Sequence, residues 1–171
     1  MRLAEPVGMV RKLMAHRASE AIALVGAEES DWPPCMRKII VDLQNGVNVN
    51  HFGRLYLAAM SATLALPQES CVGFFKGAPD FSESTTTYQV GHVYAGAYTP
   101  ASCGKLKLNH NCPVLPGDDK LCDISWMDHP LKYIRATQRW KAKNKRVEDN
   151  FRQDDQPIAG EEIENSQKIE Q

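Results

Sequence analysis

The clearest pattern along the chain is a series of apolar repeats with helical spacing, separated by proline, glycine and asparagine. Apolar side chains recur every three or four positions from Val7 to Val25, which predicts an amphipathic helix that ends near Gly26. A second helix is predicted from about Cys35 to Asn45. Pro34 suits the first turn of this helix, and Gly46 suits the position just after its last turn.

Three further helices are predicted between residues 50 and 93. One runs from about Asn50 to Leu66, where Pro67 stops it, and another runs from Gln68 to Lys76. A fifth is predicted over Ser82 to Val93, with a serine as its N-terminal cap. The pattern therefore predicts an all-α fold, a mainly helical small domain with long irregular loops.

From Tyr94 to Asp128 the periodicity gives way to glycine, proline, asparagine and aspartate. An irregular segment of this length is uncommon in a compact domain unless something besides a hydrophobic core orders it. A final helix is predicted from His129 to about Arg146, and the acidic, polar residues 148–171 are expected to form a disordered tail. We thus expect an N-terminal helix within residues 1–30 and a folded domain over residues 31–147.

Composition limits the classes of protein to which the chain can belong. With 171 residues and a net charge of −1, it is expected to form one domain without a general attraction to nucleic acid or membranes. No apolar run approaches the ~20 residues that cross a bilayer, and the first residues lack the apolar core of a secretory signal. The expected location is therefore the cytoplasm, or the nucleus in a eukaryote.

Five cysteines in a reducing compartment favour metal binding or reactivity over disulfide bonds. Four of them are irregularly spaced and lack the close Cys-x2-Cys pairs of structural zinc sites: Cys35, Cys103, Cys112 and Cys122. An iron–sulfur cluster needs only one thiolate per iron and tolerates such spacing. From spacing alone, zinc, an iron–sulfur cluster and four inert buried thiols all stay open. The fifth, Cys71, lies among apolar residues of a predicted helix and is expected in the core.

Six short phrases occur in a fixed order along the same region. They are Trp-Pro-Pro-Cys-Met-Arg at 32–37, His-Phe-Gly-Arg at 51–54, Ala-Pro-Asp-Phe at 78–81, Tyr-Gln-Val-Gly-His at 88–92, Tyr-Thr-Pro-Ala-Ser-Cys at 98–103 and His-Pro-Leu-Lys-Tyr at 129–133. Together they resemble the iron–sulfur domain of the archaeal and eukaryotic DNA primase large subunit. Any one phrase is a weak signal, whereas their collinear combination is specific.

The resemblance implies a helical domain organised around a [4Fe–4S] cluster, with Cys35, Cys103, Cys112 and Cys122 as the four ligands. It also implies a non-catalytic regulatory domain of DNA primase, with nucleotidyl transfer in a separate catalytic small subunit. Such a domain binds the single-stranded DNA template and the 5′-triphosphate end of the RNA/DNA primer, and so supports primer initiation in DNA replication. Family members have a longer helical part before this domain, so direct contact with the small subunit stays an open question.

The resemblance assigns nucleic-acid contacts to His51, Arg54, Tyr88 and His92. His51 and Arg54 are three residues apart, so they share one helical face near a helix N-terminus, and arginine presents a planar fork to phosphate oxygens. Without the family, His51 and Tyr88 would also suit the core, and Arg54 would suit solvent.

A basic segment with two aromatic residues follows the fourth ligand cysteine. It contains seven cations and no acid: Lys132, Arg135, Arg139, Lys141, Lys143, Lys145 and Arg146. It fits either a solvated helix face or a strip that follows the backbone of single-stranded nucleic acid, which the acidic tail could mask. The alternative functions are a redox-responsive iron–sulfur protein and a zinc-stabilised single-stranded nucleic-acid-binding protein. An independent enzyme is disfavoured, because no phosphate-binding glycine loop and no clustered carboxylate pair for two magnesium ions is found.

Overall fold

The structure is a computed structural model that describes residue 24, residues 26–96 and residues 98–154, with residues 147–154 described by their backbone alone. The helix predicted over Val7 to Val25 lies outside the described residues except for Leu24, which is helical and buried. The acidic residues after Asp154 also lie outside them.

Six α-helices can be followed within the described residues, and these residues contain no β-strand. The helices are α1 (Pro34–Gln44), α2 (His51–Thr63), α3 (Gln68–Phe74), α4 (Glu83–Ala95), α5 (Cys103–Leu108) and α6 (Pro130–Asp154), and a 3-10 turn at Glu29–Asp31 precedes them. The prediction of a helical fold is confirmed for this part of the chain.

Local sequence explains where α2 begins and ends. It begins after Asn50, whose side-chain oxygen accepts a hydrogen bond from the Gly53 N–H at 2.9 Å and so caps the helix. It ends at Thr63, three residues earlier than predicted, because Ala65 adopts a left-handed backbone with φ of 54°. The Leu66 N–H then bonds to the Ser61 carbonyl at 3.0 Å, which closes the helix end in a Schellman arrangement.

Helix α2 lies at the centre of the domain and contacts α1, α3 and α4. The predicted inner face of α1 is confirmed, because Ile39, Ile40 and Leu43 are all buried in the shared core. Cys71 on α3 is completely buried in the same core, as predicted. The central position of α2 matters because this helix carries two of the candidate site residues, His51 and Arg54.

Two features of the later part of the chain differ from the prediction. The irregular segment contains the short helix α5, which buries Leu106 and whose six residues are too few for apolar periodicity to reveal. Helix α6 continues to Asp154 instead of ending near Arg146, because residues 147–154 contain neither proline nor glycine. The start of the predicted disordered tail is therefore helical.

The described residues up to Arg139 form one compact unit, and the described residues from Trp140 to Asp154 belong to another. The cysteines and the nucleic-acid residues predicted by the resemblance all belong to the first unit. Among the described helices, none is both long and apolar enough to cross a membrane.

Candidate cysteine site and nucleic-acid interface

The four predicted ligand cysteines come together although they are distant in sequence. Cys35 lies in the first turn of α1, Cys103 begins α5, and Cys112 and Cys122 lie in the loops that follow. The Cys35 thiol is close enough to Cys103 and Cys112 for their charges to interact, and Cys122 interacts with the same two residues. Tertiary packing therefore gathers α1 and the α5 region around one group of sulfur atoms.

A small cavity of about 60 Å³ lies between three of these cysteines. Cys103, Cys112 and Cys122 line it, together with Lys107 and Met127. Cys71 does not line this cavity, and its polar neighbours are Ser61 and Tyr94.

The electrostatics of the cysteine group disfavour free thiolates. Burial raises the pKa of the Cys35 thiol to about 12, and burial together with the nearby Asp119 carboxylate raises the pKa of Cys122 to about 12. The pKa of Cys103 is also raised, mainly by burial. Thiolates this close together repel one another, and a positively charged metal centre would offset that repulsion. The four cysteines therefore suit a metal centre as their partner.

The buried Tyr56 hydroxyl lies 3.1 Å from Cys35 Sγ. A hydroxyl that points at a cysteine sulfur can donate a hydrogen bond to a thiolate there. Sequence reasoning missed Tyr56, because it lies within the apolar run of α2 and looks like an ordinary core residue.

Zinc and an iron–sulfur cluster differ in the arrangement that they require of their ligands. Among the described residues, no three His, Cys, Asp or Glu side chains are placed so as to hold one metal ion. A structural zinc site requires four donors about 2.3 Å or less from one point. A cluster with one thiolate on each of four irons allows the sulfur atoms to lie further apart.

The four residues predicted to contact nucleic acid line one cavity of about 400 Å³, which we call the phosphate cavity. His51 and Arg54 come from α2, and Tyr88 and His92 come from α4. Tyr88 is 76% exposed, and both histidines are exposed as well. The alternative that His51 and Tyr88 belong to the core is therefore wrong.

Arg54 is held firmly in place, so the alternative of a freely solvated arginine is also wrong. Its Nε donates to the Val49 carbonyl at 2.8 Å, and one Nη2 hydrogen reaches Asn48 Oδ1 at 3.1 Å. The guanidinium also forms a bidentate pair with Asp80, with distances of 2.7 and 3.1 Å. This pair lowers the pKa of the Asp80 carboxyl. Four of the five N–H donors are thus used, which leaves one Nη1 hydrogen for a ligand.

A second cavity of about 360 Å³ adjoins the phosphate cavity, since both are lined by Leu55 and Tyr98. The Tyr98 hydroxyl lies 3.2 Å from His92 Nε2, and the two rings meet edge to face with centroids 5.9 Å apart. Phe52 and Lys105 line the second cavity. Aromatic faces beside a cation suit a nucleobase and its phosphate.

The His-Pro-Leu phrase near the start of α6 anchors the segment that carries Tyr98 and Cys103. His129 Nδ1 accepts a hydrogen bond from the Leu131 N–H at 3.2 Å, so Nε2 is the nitrogen that donates to the Pro100 carbonyl at 3.1 Å. The Cys103 N–H also bonds to the Asp128 carbonyl at 2.9 Å. His129 is therefore a structural residue with both ring nitrogens in use.

Comparison with known proteins identifies relatives among DNA primases. "DNA primase large subunit PriL" of Thermoplasma acidophilum is 41% identical over 116 residues, which are 66% of this chain and 34% of the relative. The protein of the same name from Methanocella arvoryzae is 36% identical over 118 residues, or 67% of this chain and 31% of the relative. That from Methanosarcina barkeri is 29% identical over 141 residues, which are 80% and 33% of the two chains.

The chain thus spans about a third of the length of these curated relatives. No solved structure matches it at a significant level. The family model for the C-terminal domain of the large subunit of eukaryotic and archaeal DNA primase matches residues 27–159, which is most of the chain. The resemblance found in the six phrases is therefore confirmed, and the chain belongs to this family of C-terminal domains of the DNA primase large subunit.

Proposed function

We propose that this chain is a non-catalytic regulatory domain of a DNA primase, which supports the start of RNA primer synthesis in DNA replication. It binds the single-stranded DNA template and the 5′-triphosphate end of the primer, whereas nucleotidyl transfer takes place in a separate catalytic small subunit. The observation that carries this proposal is the convergence of His51, Arg54, Tyr88 and His92 on one open cavity in a member of the primase family.

The chemistry of the two cavities supports a phosphate end with adjoining bases. The Arg54 guanidinium and the exposed His51 ring lie at the start of α2, where the helix dipole also favours anions. The rings of Tyr88 and Tyr98 offer stacking surfaces, each worth about 1–3 kcal/mol per base in proteins that bind single strands.

The proposed cofactor is a [4Fe–4S] cluster, with Cys35, Cys103, Cys112 and Cys122 as ligands. Support comes from their mutual proximity, the raised pKa values of the Cys35 and Cys122 thiols and the hydroxyl of Tyr56 beside Cys35. When bound, such a cluster supplies a cross-link between α1 and the α5 region.

The proposal is tested by purifying the chain without oxygen and measuring iron, sulfide and primer binding. We expect about four irons and four sulfides per chain. By fluorescence anisotropy, a primer–template with a 5′-triphosphate should bind about tenfold or more tightly than the same duplex with a 5′-hydroxyl. Equal affinity for the two ends would reject end recognition, and iron-free, colourless protein would reject the cluster.

Substitution of Tyr56 by phenylalanine should lower the reduction potential of the metal centre. A hydrogen bond to a ligand sulfur stabilises the more negative, reduced state, so removing the donor should lower the potential by a few tens of millivolts. Protein-film voltammetry measures this shift. Tyr94→Phe is the matched control, because its hydroxyl bonds to the Leu66 carbonyl instead. An equal shift in both variants would show that the Tyr56 bond has no specific effect.

Substitution of Asp80 by asparagine should strengthen anion binding at Arg54. The carboxylate occupies two guanidinium donors and repels phosphate, whereas an amide keeps the shape without the charge. We expect affinity for inorganic tripolyphosphate to rise about three- to tenfold at low salt and less at high salt. Asp42→Asn, which removes a half-buried acid paired with Lys38, is the control for general charge. Weaker binding by Asp80→Asn would mean that Asp80 orients Arg54 for the ligand.

A further inference from the structure

We propose that Asn50 and Asn111 couple the phosphate cavity to the loop that carries Cys112, so that occupancy of either site stabilises the other. The proposal rests on the proposed function, because it takes an anion in the phosphate cavity and a metal centre on the cysteines. We call the hydrogen-bonded group of Asn50, Asn109 and Asn111 the asparagine clasp.

The clasp joins two segments that are 61 positions apart in sequence. Asn111 Nδ2 donates to Asn50 Oδ1 at 3.1 Å and to the Asn109 carbonyl at 2.9 Å. Asn50 Nδ2 donates to the same Asn109 carbonyl at 3.1 Å. Asn50 Oδ1 also accepts the bond from Gly53 that caps α2, so the helix cap and the loop share one acceptor atom.

Three residues of this network are direct neighbours of residues with a proposed function. Asn50 precedes His51, Gly53 precedes Arg54, and Asn111 precedes Cys112. A displacement of either segment is therefore transmitted to the other through two side chains.

The local geometry shows that the clasp is tightly packed. Asn111 is only 8% exposed, and a Cβ on Gly53 would collide with its Oδ1 atom. Between the two loop asparagines, His110 has a left-handed backbone with φ of 59°, which costs a non-glycine residue about 1 kcal/mol or more. Such a conformation persists only where its surroundings impose it, and the flanking hydrogen bonds do so here.

Coupling between two sites is reciprocal. If the loop at Cys112 relaxes, Asn111 leaves Asn50, and the first turn of α2 loses a restraint beside His51 and Arg54. Conversely, an anion bound at that turn holds Asn50 in place and so restrains the loop against opening.

Two substitutions separate this coupling from ordinary helix capping. Serine caps helices about as well as asparagine, so Asn50→Ser keeps the bond to the Gly53 N–H. Its side chain is too short to maintain both links to the loop. Asn111→Ala removes the two hydrogen bonds that the loop side chain donates, to Asn50 and to the Asn109 carbonyl. Asn45→Ser, at the exposed C-terminal cap of α1, is the matched control.

The experiment uses the full chain purified without oxygen and inorganic tripolyphosphate as the probe. Calorimetry measures the affinity for tripolyphosphate. The rate at which an iron chelator removes the metal centre is followed by the absorbance at about 400 nm, once with the probe and once without it. In the wild-type chain and in Asn45→Ser, the probe should slow this loss about five- to tenfold. In Asn50→Ser and Asn111→Ala it should slow the loss by less than about twofold, with affinity about fivefold weaker.

The outcomes distinguish the coupling from the proposed function. If the probe binds the wild-type chain but slows loss of its metal centre no more than it does in the clasp variants, the coupling is wrong and the phosphate site stands. If the probe does not bind the wild-type chain at all, the proposed function fails and the coupling fails with it. If Asn111→Ala retains no iron, Asn50→Ser decides the question, because it breaks the links from α2 and leaves every residue of the cysteine loop in place.

Discussion

Replacement of Cys103 by serine is expected to remove the metal centre and to unfold much of the domain. Cys103 begins α5 and its thiol lies close enough to the other three cysteines for their charges to interact, so its loss breaks the proposed cross-link between α1 and the α5 region. Iron should fall from about four per chain to nearly none. The midpoint of thermal unfolding should fall by about 10 °C or more, because the binding energy of a structural metal is also folding energy.

Cys71→Ser is the control for this prediction. Cys71 is completely buried in the core, where its surroundings include the polar groups of Ser61 and Tyr94 that can accommodate a hydroxyl. This variant should keep its iron content and its brown colour, although some stability is lost. Equal loss of iron from both variants would contradict the assignment of the four ligands.

Replacement of Arg54 by alanine is expected to weaken binding of a triphosphate-ended primer–template by about 10- to 100-fold, since charged hydrogen bonds to phosphate are lost. Binding of the same duplex with a 5′-hydroxyl should fall much less. Arg54→Lys should rescue little, because a single ammonium group replaces neither the bidentate pair with Asp80 nor the bond to the Val49 carbonyl. Anisotropy with both duplexes measures the difference.

The control for Arg54 is Arg37→Ala, which removes an exposed arginine from α1. Thermal unfolding of each variant reports how much of the Arg54 effect is structural, because Arg54 also bonds to Asn48 and Val49. If Arg54→Ala weakens both duplexes to the same extent, Arg54 contacts the nucleic-acid backbone in general and does not read the primer end.

The helices that form the core were predictable because the residues that define each helix and its ends are close together in sequence. Apolar spacing, Pro34 and Gly46 place α1 to within one residue at each end. The same reasoning extended α2 to Leu66, because no apolar pattern reveals that Ala65 adopts a left-handed backbone. Helix α5 was missed because six residues show too little periodicity to distinguish them from a loop.

The sequence alone determined the helical class, the family and the residues that could carry chemistry, since these depend on local spacing and on short phrases in a fixed order. Only the tertiary structure showed that the Tyr56 hydroxyl lies beside Cys35, that Asp80 pairs with Arg54 and that Asn111 donates a hydrogen bond to Asn50. These pairs are 21, 26 and 61 positions apart. Such contacts depend on how the helices pack around α2, and helical periodicity along the chain does not predict which helix faces pack together.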